Sequence, residues 1–268
     1  MPTLPLYQVD AFTDRPFGGN PAAVCPLPGP IPDGLMQDIA AENNLSETAF
    51  FQRGSKPGES IGLRWFTPTV EVDICGHATL ASAFVLMTEL EPSRTSVTFQ
   101  TRSGLLPVER RGGIYVMDFP AFSTERAPDD TAAAVAAALR ARPAEVRLGQ
   151  VLLAVFEDAG AVRRLSPDMG ALARFPTTVC VTAPGDGDPP GADFVSRYFA
   201  PGFGIPEDPV TGSSFCTLAP YWGARLGKAA LRARQVSRRG GDVQCEQRGD
   251  RVLIGGEACL VLTGTLRY

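Results

Sequence analysis

The sequence predicts an α/β (α+β) protein of two pseudo-symmetric domains. Each is expected to be a strongly curved, mostly antiparallel sheet or barrel around a central apolar helix. Three observations carry this. First, one layout occurs twice: Arg64-Trp65-Phe66-Thr67-Pro68 leads to Asp73-Ile74-Cys75-Gly76-His77-Ala78-Thr79, and Arg197-Tyr198-Phe199-Ala200-Pro201 leads to Glu207-Asp208-Pro209-Val210-Thr211-Gly212-Ser213-Ser214. Both run strand, proline, acidic residue, glycine, then a helix that begins with small and hydroxyl residues. Second, each turn opens a stretch that is apolar nearly all round, His77 to Leu90 and Ser213 to Leu226, as a helix enclosed by other elements must be. Third, the remainder is mostly short β-prone runs bounded by Gly, Pro and polar residues.

Taken in order, Tyr7 to Phe12, Ala22 to Cys25, Thr48 to Gln52 and Leu63 to Phe66 read as strands. Val97 to Thr101, Leu105 to Arg110 and Ile114 to Phe119 continue them. Pro32 to Asn43 is amphipathic, with Leu35, Ile39 and Ala40 on one side of a helix. Pro120 to Pro128 has no periodic pattern and separates a first domain, 1–120, from a second, 128–268. An alanine-rich helix, Thr131 to Arg140, follows, then strands near Gln150 to Phe156, Thr178 to Thr182 and Phe194 to Phe199. Pro220 falls inside the second apolar helix, so a kink is expected there, with the carbonyls freed by the missing N–H finding other partners. Leu231 to Ser237, Val243 to Gln247, Arg251 to Gly255 and Leu260 to Tyr268 close the chain as strands, the last of which can return to the first domain.

Composition narrows the function. Hydrophobic residues at 44% and charged residues at 20% are ordinary globular values, and the net charge is −4. With no long basic run, no nucleic-acid partner is expected. The start Met1-Pro2-Thr3-Leu4 lacks a secretory pattern, and no apolar run approaches the ~18 residues of a membrane helix. A cytoplasmic protein without membrane partners is the expectation. The 6 cysteines are scattered, which favours free thiols. With 1 histidine and no short-spaced cysteine pair, no metal site is expected. The absence of glycine-rich phosphate loops leaves no cofactor to expect either.

Glu47 stands between the turn Asn43-Asn44-Leu45-Ser46 and the apolar strand Thr48-Ala49-Phe50-Phe51. Such a carboxylate is either a surface residue at a strand start or a partly desolvated group suited to proton transfer. His77, the sole histidine, falls at a helix N-terminus, where the dipole disfavours a charged ring. Asp208 before Pro209 is a common turn starter, and Asp73 holds a related place before the first helix. Thr211 and Ser213 can cap the second helix through their hydroxyls, and Gly212 lets backbone approach a ligand. Exposed N–H groups at two helix starts suit a small carboxylated metabolite held at one site between the halves.

Gly18-Gly19-Asn20-Pro21-Ala22-Ala23-Val24, Asn44-Leu45-Ser46-Glu47-Thr48, the Asp73 to Thr79 turn and the Glu207 to Ser213 turn together resemble the phenazine-biosynthesis PhzF-like family. The resemblance reaches Ala219-Pro220-Tyr221-Trp222 and the closing Gly264-Thr265. It implies a diaminopimelate-epimerase-like fold, a homodimer, and a cofactor-independent isomerase of biosynthetic type. By that similarity Glu47 is the acid/base that moves a proton between two carbons. His77, Asp208 and Ser213 are its catalytic partners, and Asn20, Gly76 and Gly212 bind substrate.

Four readings compete. A lyase or C–C hydrolase could use the same scaffold, and a non-catalytic small-molecule binding protein would need no acid/base carboxylate. A two-thiol racemase has a first cysteine in Cys75 but lacks the second, since Pro209 and Val210 stand near its place and Cys216 falls a turn later. A Cys75–His77 thiol dyad is disfavoured by their separation of two positions and by the absence of an evident third group. If Glu47, Asp208 and an anionic substrate shared one dry site, at least one carboxyl would be protonated with ligand bound, and His77 would be neutral.

Overall fold

The β-prone runs form strands in a computed structural model, which describes residues 1–52, 59–188 and 190–268. Two compact units result, one of Met1–Asp118 with Gly255–Tyr268 and one of Phe119–Ile254.

The first unit contains β1 (Thr3–Ala11), β2 (Asn20–Leu27), α1 (Asp33–Asn43), β3 (Glu47–Gln52), β4 (Ile61–Phe66), β5 (Glu71–Val72), α2 (Gly76–Phe84), β6 (Ser96–Thr101), β7 (Gly104–Arg111) and β8 (Ile114–Pro120). The closing segment Ala258–Arg267 pairs antiparallel with β1. The sheet is mixed. β2 runs parallel to β3 across α1, and β4 runs parallel to β6 across α2, as a helical crossover requires. Residues 76–83 of α2 are all buried, and the helix packs on β1, β2, β3 and the closing segment. Its last turn widens into a π-helical stretch, Val85–Leu90. On the other face of the sheet, Met36, Ile39 and Ala40 of α1 join Leu4, Leu27, Phe50 and Phe66 in a core cluster.

The second unit contains β9 (Glu125–Arg126), α3 (Asp129–Leu139), β10 (Glu145–Leu148), β11 (Leu152–Val155), α4 (Ala159–Arg164), α5 (Met169–Leu172), β12 (Val179–Pro184), β13 (Phe194–Ala200), β14 (Ile205–Asp208), α6 (Phe215–Leu226), β15 (Ala230–Gln235), β16 (Gly241–Arg248) and β17 (Arg251–Gly256), ahead of the closing β18 (Ala258–Arg267). The short helices α4 and α5 are held by the Asp158 and Asp168 side chains, which accept from the amides of their first turns. Pro220 removes one donor from α6. The carbonyl of Cys216, four residues back, instead accepts the N–H of Phe122 at 2.9 Å. Trp222, one turn from the cap of α6, stacks on Phe194 at 5.6 Å and donates its ring N–H to Thr182 Oγ1 at 2.9 Å.

The repeat read from the sequence is a repeat of pairings. β4 takes β5 antiparallel and β6 parallel, with α2 between them. β13 takes β14 antiparallel and β15 parallel, with α6 between them. Even the side chains correspond. Arg64 forks onto Glu71, Nε to Oε1 at 2.7 Å and NH2 to Oε2 at 2.8 Å, while its guanidinium lies 5.1 Å from the Phe66 ring. Arg197 forks onto Glu207 at 2.7 and 2.9 Å and lies 5.0 Å from the Phe199 ring. In each unit a planar, bidentate pair thus fastens the strand before the helix to the segment that leads into it.

Candidate active site

In the first unit, α1 ends because Asn44 adopts a left-handed conformation, φ 49°, which asparagine tolerates better than most residues. The short turn that follows delivers Glu47 as the first residue of β3. Glu47 is paired with Ala22 of the neighbouring parallel strand. Alternation along β2 then puts Asn20, Ala22 and Glu47 on one face. Asn20 opens β2 opposite Ala11 and is fully buried. Gly19 before it has φ +57°, and a Cβ there would sit 2.0 Å from the Ala11 carbonyl oxygen. Only glycine fits at that turn.

Gly76 and His77 begin α2, and Cys75 in an extended conformation (φ −151°) precedes them without capping the helix. The chain reversal at Gly76 folds the Cys75 and His77 side chains toward each other, Sγ to Nδ1 at 3.5 Å. On the other ring nitrogen, Nε2 lies 3.1 Å from Glu47 Oε2. The two atoms are close but off the hydrogen-bond line, and neither has another partner among the described residues. Cys75 and His77 therefore do meet, contrary to the expectation from their spacing, and Glu47 is the third group that the sequence did not reveal.

Burial works against a charge on the His77 ring, but the Cys75 sulfur and the Glu47 carboxylate outweigh it and hold its pKa well above the ordinary value. The Cys75 thiol is itself pushed up, by burial first and by the Glu47 charge second. Its proton stays on at neutral pH, so of the two groups it is the Glu47 carboxylate that favours a charged ring there. The Glu47 carboxylate at 3.1 Å thus works against the neutral ring expected from the helix dipole, since a full charge outweighs the fractional charge of a helix end.

Ligand atoms of Glu47, Cys75 and His77 lie within 4.8 Å of one another, a donor set that a transition metal could use. The orientation fits a proton network better. The thiol faces Nδ1 while the carboxylate faces Nε2, so no single ring nitrogen faces both.

In the second unit, Asp208 ends β14 opposite Tyr198 and is buried. Its carboxylate accepts the Thr211 hydroxyl in a short hydrogen bond. Gln235, fully buried at the end of β15, donates to the Asp208 carbonyl at 2.6 Å and accepts the Thr211 N–H at 3.0 Å. The Thr211 hydroxyl is thus spent on Asp208 rather than on capping, as the sequence had suggested, because the buried carboxylate is the stronger acceptor. Gly212 and Ser213 form a 3-10 turn ahead of α6, with Gly212 buried and Ser213 half-buried. Asp73 is not the counterpart of Asp208: its side chain is 72% exposed. The matching Arg–Glu forks align Glu71 with Glu207 and therefore Val72 with Asp208. Sequence reasoning missed Gln235. Its signal was a polar residue in the buried phase of Leu231, Ala233, Gln235.

With this geometry in hand, the comparison with known proteins is direct. The pattern of the phenazine biosynthesis-like proteins, PhzC-PhzF, matches residues 9–264. The chain belongs to that family. An uncharacterized isomerase of Pseudomonas aeruginosa is 48% identical over 264 residues, 98% of each chain. A solved PhzF-family structure from Enterococcus faecalis is 45% identical, superimposes with a TM-score of 0.93 and covers 100% of both chains. A structure described as a predicted epimerase of Pseudomonas aeruginosa shares the fold at 22% identity and a TM-score of 0.75, covering 98% of this chain and 99% of its own. The PhzF-like chain thus has an epimerase-type fold, and the naming of its relatives supports isomerase-type chemistry. No helix among the described residues is long and apolar enough to cross a membrane.

Proposed function

We propose that this PhzF-like protein is an isomerase that moves a proton between carbons of a small carboxylated metabolite, with Glu47 as the acid/base. The observation that carries the reading is the buried Glu47–His77 contact. Oε2 and Nε2 stand 3.1 Å apart, off the line of a hydrogen bond, with no other partner among the described residues. Buried polar atoms left this way lose about 1–3 kcal/mol each, a loss removed when a ligand supplies the missing donor or acceptor. A substrate C–H beside Oε2 and a substrate oxygen beside Nε2 would satisfy both. Glu47 then takes the proton from one carbon and returns it to another, while the Nε2–H holds the negative charge that develops on the enol-like oxygen. The uncapped amides at Gly76 and His77 offer the substrate carboxylate a helix N-terminus. Asp208 and Ser213 are proposed as further catalytic groups, and Asn20 and Gly212 as substrate-binding residues.

A thiol nucleophile at Cys75 is the weaker reading, because burial keeps that thiol protonated. A second racemase thiol is equally disfavoured, since Cys216 is buried inside α6 and pushed up to about 12. The test is solvent deuterium exchange into candidate carboxylated metabolites, followed by NMR. Exchange without carbon–carbon cleavage is expected in the wild type, and Glu47→Gln should lower its rate by about 10²–10⁴-fold. Undiminished exchange in Glu47→Gln would refute the assignment.

A further inference from the structure

We infer that Cys75 is a positioning residue that fixes which nitrogen of His77 carries the hydrogen facing Glu47. The inference deepens the proton-transfer reading and rests on it only for its consequence. Its premises are geometric. Sγ of Cys75 lies 3.5 Å from Nδ1, and both side chains are buried. The backbone carbonyl of Cys75 is already used by Thr79, whose hydroxyl donates to it at 2.6 Å. Besides the ring, the sulfur faces the Ala78 amide, which can only donate, so Nδ1 is the acceptor left for the S–H proton. Glu47 from β3 and Cys75 from the turn are the ionisable groups that act on the ring.

Two protonation states follow, and they agree on one point. With a neutral ring, the protonated thiol donates S–H to Nδ1, which leaves Nε2 as the nitrogen that carries hydrogen. With a charged ring, Nδ1–H donates to the sulfur and Nε2 keeps its own hydrogen. The proton that comes and goes therefore lies between Nδ1 and Sγ. Nε2–H remains a fixed donor beside Oε2, at 3.1 Å. For an acid/base carboxylate this is useful. Its neighbour cannot turn a bare lone pair toward it and compete for the proton taken from carbon.

The chain has 1 histidine, so its ring nitrogens give unobscured signals in a two-bond proton–nitrogen NMR spectrum of the unliganded protein. Through a pH titration of the wild type, Nε2 should keep the signature of a protonated nitrogen while Nδ1 changes. Cys75→Ala should lower the preference for Nε2–H by roughly 2- to 10-fold, the worth of one hydrogen bond. Cys75→Ser, which retains a donor, should restore it. Cys75→Val fills the thiol's space without a donor and should reproduce the loss, which guards against a cavity effect or a poorly folded Cys75→Ala. Wild-type tautomer behaviour in both Cys75→Ala and Cys75→Val would overturn the inference and leave Cys75 as packing. The readout needs no substrate. A tautomer change on Cys75→Ala alongside undiminished deuterium exchange in Glu47→Gln would sink the proposed function and leave the positioning role standing.

Discussion

Replacing Arg197 with methionine should be among the most damaging single changes outside the Glu47–His77 pair. The Arg197 side chain is 11% exposed and that of Glu207 22% exposed. The guanidinium forks onto Glu207 and also donates to the carbonyls of Val162 at 3.1 Å and Leu165 at 2.9 Å. Methionine fills similar volume but strands a largely buried carboxylate and two carbonyls. Breaking a buried pair from one side costs about 3–5 kcal/mol, a large share of the about 5–15 kcal/mol that holds a domain folded. Arg197→Lys keeps the charge but cannot fork and reach the carbonyls together, so it should recover only part of the loss. Arg64 is the internal control. Its side chain is 31% exposed, and one of its two partners, Asp33, is 74% exposed. Arg64→Met should cost about 1–3 kcal/mol, between the surface and buried cases. Urea unfolding followed by tryptophan fluorescence and circular dichroism measures each value. A loss under about 1 kcal/mol for Arg197→Met, or one no larger than that for Arg64→Met, would refute the view that these forks fasten the turns.

Three further outcomes are expected. Burial pushes the Cys25 and Cys216 thiols up to about 12, and those of Cys180 and Cys245 upward as well. Each raised value contributes stability that is full below the unfolded thiol's pKa near 8.5 and falls by about 1.4 kcal/mol per pH unit above it; urea midpoints at pH 8 and 10 under reducing conditions should show this, and Cys25→Val should flatten the slope. The raised pKa of His77 contributes stability that is full below about 6.5 and is lost as pH rises through the folded value, so Glu47→Gln should weaken the decline between those limits, and an unchanged decline would exclude Glu47 as its cause. Gln235→Leu leaves the Thr211 N–H and the Asp208 carbonyl without their buried partner, which should destabilise by about 1–3 kcal/mol per group and reduce turnover; a neutral result by urea unfolding would show that the turn re-pairs.

Most strands were legible as short β-prone runs bounded by Gly, Pro and polar residues, and the two apolar helices because small and apolar residues fill most of their positions. The parallel steps were less so. Alternation records which residues are buried but not which strand lies beside which, and β2 meets β3 only after α1 has carried the chain back. The helices α4 and α5 escaped detection because 6 and 4 residues are too few for a helical period to show. At the site, Glu47 and His77 could be singled out by type and position, yet their contact spans 30 positions of chain and depends on β3 starting beside the first turn of α2. Cys75 was weighed only as a reacting thiol, the base of a racemase or the nucleophile of a dyad. Nothing in a Cys-Gly-His run says whether the two side chains converge until the backbone angle at Cys75 is known.

The internal repeat shows how one scaffold yields two different chemistries. The Arg–Glu fork and the strand–strand–helix–strand unit recur in both halves, so the framework that presents a helix start is duplicated. What the framework presents is not. In the first unit the residue aligned with Asp208 is Val72, an apolar side chain, and the titratable groups come from elsewhere: Glu47 from β3 and Cys75 and His77 from the turn itself. In the second unit the acid is built into the fork strand and is held by Thr211 and Gln235. One half thus carries a cluster able to exchange a proton, with two buried atoms short of partners. In the other, Asp208 is fastened by hydrogen bonds from Thr211 and to its own carbonyl from Gln235, which suits it to holding a ligand rather than to cycling a proton. Under the proposed proton transfer, the asymmetry favours Glu47 over Asp208 on grounds independent of kinship: of the two acids, it is the one whose surroundings leave an oxygen unsatisfied.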